Sequence, residues 1–102
     1  MMFVGGSSMT RVKVKYYSVF KKITDKSQEK IKVDDNATIE DLLKKLTEVY
    51  GEDFFNYIFR ENNKIQPTSR ISINGEIVTS TDLDNKIKDG DKVLFFTPMS
   101  GG

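Results

Sequence analysis

The side chains that most often carry enzymatic chemistry are missing from this sequence, which contains no Cys and no His. That removes the thiolate nucleophile, the imidazole base, iron–sulfur ligation and an ordinary zinc site. Carboxylates, lysines, hydroxyls and the final carboxylate remain. Glu40 with Asp41, and Asp89 with Asp91, are spaced as acid pairs. Acids in a first helical turn and aspartates in turns explain both pairs more simply, and Asp82 and Asp84 suit a loop equally well. No P-loop or dinucleotide fingerprint occurs, so any ATP used would be held by another protein. What is left is TPMSGG, Thr97 to Gly102, which ends in Gly101 and Gly102. A frayed end is the plain reading. The chemical reading is that a carboxylate becomes an acyl donor once one of its oxygens is made a leaving group, as in an acyl adenylate. Glycine without a Cβ can pass a narrow channel in any backbone conformation. Six extended residues beyond Phe96 reach roughly 20 Å, at about 3.3 to 3.6 Å each.

The rest of the chain must hold that segment out. At 102 residues it has the length of one domain with one modest core. An apolar share of 37%, a charged share of 30% and a mean hydropathy of −0.45 place it among soluble globular domains. Sixteen basic and 15 acidic residues leave a net charge of +1, which does not support capture of nucleic acid or of an anionic membrane by the chain as a whole. MMFVGGSSM lacks the basic flank and long apolar stretch of a secretion signal, so the expected compartment is the cytoplasm. Residues 1–9 are expected to be a disordered arm or a non-native remnant, 10–98 the folded domain and 99–102 a flexible tail.

Alternation through Val12, Val14 and Tyr16 predicts a strand over Thr10 to Ser18, and a second alternating run covers Glu29 to Asp34. The two should form an antiparallel hairpin, with a turn of helix near Val19 to Ile23. Ile39, Leu42, Leu43, Leu46, Val49 and Tyr50 make one apolar helical stripe. Thr38 is the expected N-cap of that helix and Gly51 its left-handed C-cap. A short second helix over Asp53 to Tyr57 and an extended piece follow, with Phe54, Phe55, Tyr57 and Phe59 read as core filling rather than a ligand box. RISINGEIV is a hairpin about the type I′ pair Asn74-Gly75. Leu83 and Ile87 suggest a helical turn within Thr79 to Asp89, and Asp89-Gly90 leads into the last strand, which should stop by Pro98. The order predicts an α+β domain: a mixed sheet of about four to five strands under one main amphipathic helix, with the first and last strands adjacent near its centre.

Side chains alternate across a sheet. If Val12, Val14, Tyr16, Ile71, Ile73, Val93 and Phe95 face the helix, then Tyr17, Leu94 and Phe96 face away, with Ile77 beside them. One helix cannot cover both faces, so this group forms a candidate partner-binding patch next to the tail. Lys13 and Lys15 also lie outward, where they serve solubility or meet an acidic partner.

The order of elements and the segments VKVKYYS, VYG at the helix end, SINGEIV and DGDKVLFFTPMSGG resemble the ubiquitin-like β-grasp sulfur carriers. The chain is most similar to the MoaD type, the small subunit of molybdopterin synthase, and is related to ThiS. The resemblance runs from about Arg11 to Gly102. It implies a β-grasp fold and a Gly102 carboxylate that is adenylated with ATP by an E1-like enzyme of the MoeB type. A sulfur donor then converts the adenylate to a thiocarboxylate. The tail would enter a large synthase subunit of the MoaE type and give its sulfur to a pterin precursor in molybdenum cofactor biosynthesis. Such a chain has no autonomous activity and no bound cofactor or metal. Gly101 and Gly102 match the family's tail, Phe96 matches the aromatic residue that packs on the large subunit, and Tyr17 and Ile77 match its neighbours. Leu94, Pro98, Met99 and Ser100 complete the expected contact. Thr97 stands where the family's tail has a proline, and Met99-Ser100 also departs from the pattern. Two alternatives remain at this point: a ubiquitin-like modifier conjugated through Gly102, and a ThiS-type carrier for thiamin thiazole synthesis, although those are shorter and lack the insertion Glu52 to Ser69.

Overall fold

Two segments of extended chain, β1 (Met9–Tyr16) and β2 (Gln28–Asp34), pair antiparallel with Val12 opposite Ile31 and Val14 opposite Glu29. The computed structural model describes residues 9–61 and 64–98. Helix α1 (Val19–Thr24) closes the hairpin where a helical turn is predicted, and it buries Phe20. The chain then forms α2 (Ile39–Tyr50), α3 (Glu52–Ile58), β3 (Arg70–Ile73), β4 (Glu76–Ile77), a 3₁₀ turn at Ser80–Asp82 and β5 (Lys92–Phe96). The sheet order is β2-β1-β5-β3-β4, with β5 parallel to β1 and antiparallel to β3. First and last strands are central neighbours, as the apolar character of β5 requires.

The α2 N-terminus is built by a reciprocal cap. The Thr38 hydroxyl accepts from the Asp41 N–H at 3.2 Å, and the Asp41 carboxylate accepts from the Thr38 N–H at 3.0 Å. Ile39, Leu42, Leu43 and Leu46 are buried. Val49 departs from the predicted stripe: it sits in the last turn of α2 and is 61% exposed, while its neighbour Tyr50 turns to the core. Gly51 also departs from expectation. Its φ of 90° is positive, but its ψ of −172° lies outside the left-handed helical region. The same residue is also the N-cap of α3, so the chain turns sharply between two helices instead of closing one. Only glycine takes that backbone conformation without strain.

Asn74 and Gly75, with φ of 53° and 90°, form the predicted tight turn of the β3–β4 hairpin. β5 ends at Phe96, two residues before Pro98. Under the sheet, Tyr16 stacks on Phe95 with ring centroids 5.7 Å apart, and Phe54 meets Phe95 edge-on at 5.4 Å. Phe54 and Phe59 are buried and Phe55 and Tyr57 partly so, which makes this aromatic run part of the core. Among the described residues no helix is long and apolar enough to cross a membrane.

Candidate functional site

The helices lie on one side of the sheet, and strand parity fixes what the other side presents. Val14 and Tyr16 of β1 register with Val93 and Phe95 of β5, while Ile71 and Ile73 of β3 register with Phe95 and Val93. All of these face the core, Ile73 at its margin. The alternate residues therefore line the outer face. One row across it reads Gln28, Lys15, Leu94, Ser72, Ile77. Leu94 is half-buried and Ile77 is 51% exposed. Ser72 between them is buried, because the two flanking side chains cover it.

One step toward the end of β5, Phe96 is half-buried opposite Arg70. Arg70 is held at the sheet surface by its guanidinium, which donates to the Pro67 and Ser69 carbonyls at 2.9 and 3.0 Å. Tyr17 follows the last residue of β1, donates its N–H to the Phe95 carbonyl at 2.9 Å and is 43% exposed. Thr97 and Pro98 are half-buried beyond it. The structure thus brings Tyr17, Ile77, Leu94 and Phe96 to one face, as read from the sequence, and Pro98 is half-buried past the end of β5. Met99, Ser100, Gly101 and Gly102 lie outside the described residues. Arg70 and Ser72 are members of the face that the sequence reading left out, although the parity that finds Leu94 also finds them.

A second polar group anchors the sheet end from below. Glu29 accepts hydrogen bonds from the Tyr16 hydroxyl at 2.6 Å and from the Tyr50 hydroxyl, and it forms an ion pair with Lys26 at 3.2 Å. Burial pushes the Glu29 carboxyl up, but the two phenols and Lys26 outweigh it and hold the group below its ordinary range. Burial first, and Glu29 next, push the Tyr16 and Tyr50 hydroxyls up. The network joins β1, β2 and α2. It points away from the outer face and is structural. No group of three or more acidic residues among the described residues is arranged to hold a metal ion.

An uncovered face with an apolar centre beside the start of the tail has the form of a protein-contact surface and not of an enclosed cavity. The model of the ThiS family matches residues 14–102. The chain is 27% identical over 92 residues to small archaeal modifier protein 3 of Haloferax volcanii, covering 89% of this chain and 98% of the relative. Its fold matches a putative molybdopterin converting factor, subunit 1, from Pyrococcus furiosus with a TM-score of 0.72 and 29% identity, over 88% of this chain and 99% of that one. It also matches the crystal structure of SAMP1 from Haloferax volcanii with a TM-score of 0.74 and 22% identity, over 90% and 99% of the two chains. This chain belongs to the ThiS family, ubiquitin-like β-grasp proteins of the sulfur-carrier and small-modifier type.

Proposed function

We propose that this chain is a sulfur carrier whose Gly102 carboxylate is activated on a separate E1-like enzyme. One observation carries the reading: β5 runs from the centre of the sheet to Phe96 beside the apolar patch, and the chain continues from there into Gly101-Gly102. A partner seated on Tyr17, Ile77, Leu94 and Phe96 receives the following residues in its own active site, with Pro98, Met99 and Ser100 lining the approach. The Gly102 carboxylate oxygen attacks the α-phosphorus of ATP, pyrophosphate leaves, and an acyl adenylate forms. Hydrosulfide, or its equivalent on a donor protein, then attacks the carbonyl. A C–S bond forms as the C–O bond to AMP breaks, which leaves a thiocarboxylate. This chain's contribution is to present the carboxylate and dock, and the partner holds the ATP.

The finer assignment is to the small subunit of molybdopterin synthase, delivering sulfur through a MoaE-type large subunit. The likeness to the Pyrococcus furiosus converting factor supports it. A second reading, conjugation of Gly102 to lysines of other proteins, is supported by the likeness to small archaeal modifier protein 3. Both begin with the same adenylate. The test is intact-mass analysis after incubation with an E1-like enzyme, ATP and hydrosulfide. Replacement of one oxygen by sulfur is expected, and a chain lacking Gly102 should show none. If the full chain forms neither adenylate nor thiocarboxylate, the carrier reading fails. A stable complex with a large synthase subunit then favours the first assignment, and higher-mass conjugates without such a complex favour the second.

A further inference from the structure

The outer face of the sheet has a second half that the apolar patch does not use. Lys30, Lys13 and Lys92 stand side by side across β2, β1 and β5, because Lys13 registers with both of the others. The next row pairs Arg11 with Lys32, and Lys15 lies on the other side. Five of these six residues are exposed, and Lys15 is half-buried. Among the described residues the ion pair within 4.0 Å is Lys26 with Glu29, so none of the six cations is neutralised by a carboxylate at that range. Like charges directly opposite in adjacent strands are destabilising. Three in a row, with a fourth and fifth behind them, is an arrangement that the fold itself does not require. Acids flank these rows without interrupting them: Asp34 follows Lys32 at the next outward position of β2, and Asp89 lies beside Arg11, while Glu40, Asp41, Glu48, Glu52 and Asp53 are on α2 and α3. Arg11, Lys13, Lys30 and Lys92 also line a shallow cavity of about 240 Å³, together with Asp89, whose carboxylate accepts the Arg11 backbone N–H at 2.9 Å.

We infer that this basic half-face receives an acidic segment of the same protein partner that seats on Leu94, Phe96 and Ile77. The inference rests on the reading of those three residues as a docking patch. The two regions are continuous: Lys92 and Phe96 are on one strand, four residues and about 13 Å apart at 3.3 Å per residue. An apolar centre with charge along one side is the composition of a protein interface. A nucleic acid would be expected to draw on a basic surface without acidic flanks, whereas this molecule has a net charge of +1 and carries Asp89 at the cavity. The expected role is steering and orientation, which align the tail before the apolar contact closes.

The test uses the ¹⁵N-labelled full chain and a twelve-residue peptide of glutamates with spaced leucines. The peptide should shift the backbone amide signals of Lys13, Lys30 and Lys92, and its Gln-for-Glu counterpart should not. A Lys13→Gln, Lys30→Gln, Lys92→Gln variant, with its fold confirmed by its own spectrum, should bind the peptide about tenfold more weakly and with less dependence on salt. Absence of these shifts, or equal binding by the variant, overturns the inference. So does tighter binding of a twelve-nucleotide oligothymidine than of the peptide, which would assign the face to nucleic acid. Salt-sensitive self-association in sedimentation that the triple variant abolishes would make a second copy the occupant and overturn it as well. Adenylate formation on Gly102, measured on the same samples, reports separately on the carrier reading.

Discussion

Phe95 and Phe96 are neighbours in sequence on opposite faces of β5, and under the proposed function truncating each separates stability from docking. Phe95 is fully buried against Tyr16, Phe20 and Phe54, so Phe95→Ala should cost about 3 to 5 kcal/mol in urea unfolding. Phe96 is half-buried on the open face. Phe96→Ala should cost about 1 kcal/mol or less in stability but weaken binding to the proposed E1-like enzyme by about 2 kcal/mol, close to thirtyfold by calorimetry. Equal binding by Phe96→Ala would remove this residue from the contact. Glu29 yields a pH prediction. Its carboxyl is held below its ordinary value in the folded chain by Tyr16, Tyr50 and Lys26 against the cost of burial. A lowered folded pKa contributes stability that is present above the unfolded value and lost as pH falls through the folded one. Unfolding free energy should therefore drop below about pH 4.5, the model-peptide range for a glutamate, and Glu29→Gln should be less stable at neutral pH by about 1 to 2 kcal/mol with a shallower acid slope. Parallel slopes for the two proteins would assign the acid sensitivity to other carboxylates.

At the scale of elements, α2 is the part most clearly written in the sequence. Its cap depends on one hydroxyl and one carboxylate. Thr38→Ala should lower stability by about 1 kcal/mol in thermal or urea unfolding. Asp41, held below its ordinary value first by the Thr38 N–H and then by the Thr38 side chain, should lose its contribution on acidification. The central pairing of β1 with β5 was also legible, because Val93 and Phe95 are too apolar for an edge, and strand parity correctly divided the core from the outer face. What sequence could not give was the end of each element. Val49 fits the helical period but is exposed in the last turn, where Tyr50 takes the core-facing position against Tyr16, and spacing does not choose between the two. Gly51 announces a break, yet whether it caps one helix or joins two depends on the conformation of its following peptide. The Glu29 network links residues 13 and 21 positions from the glutamate, and nothing in local pattern marks such a triplet. Arg70 and Ser72 were missed for another reason: a polar residue on an outward strand position is ordinary until its neighbours prove to be Phe96, Leu94 and Ile77.

For the whole molecule, the distribution of charge matters more than its sum. A net charge of +1 predicts little dependence of stability on salt if charges are evenly mixed. Here the outer face places Lys13 between Lys30 and Lys92, and Arg11 against Lys32, whereas on α2 Glu40, Asp41 and Glu48 are interleaved with Lys44 and Lys45. Repulsion within the exposed rows is screened over a distance of about 10 Å at 0.1 M salt, so the isolated protein should become more stable as sodium chloride rises from low concentration toward 0.3 M. Removing the central charge should do the same without salt: Lys13→Thr should raise the unfolding free energy by about 0.3 to 1 kcal/mol at low ionic strength, through relief of two cross-strand repulsions and a better strand former at that position. The gain should shrink at 0.3 M salt, where the repulsion it relieves is already screened. A substitution that stabilises the free chain while slowing its encounter with the proposed E1-like enzyme would show that the lysine row is kept at the expense of the fold. Loss of stability in Lys13→Thr, or a gain that does not shrink with salt, would mean that packing of the lysine stem along β1 outweighs the charge.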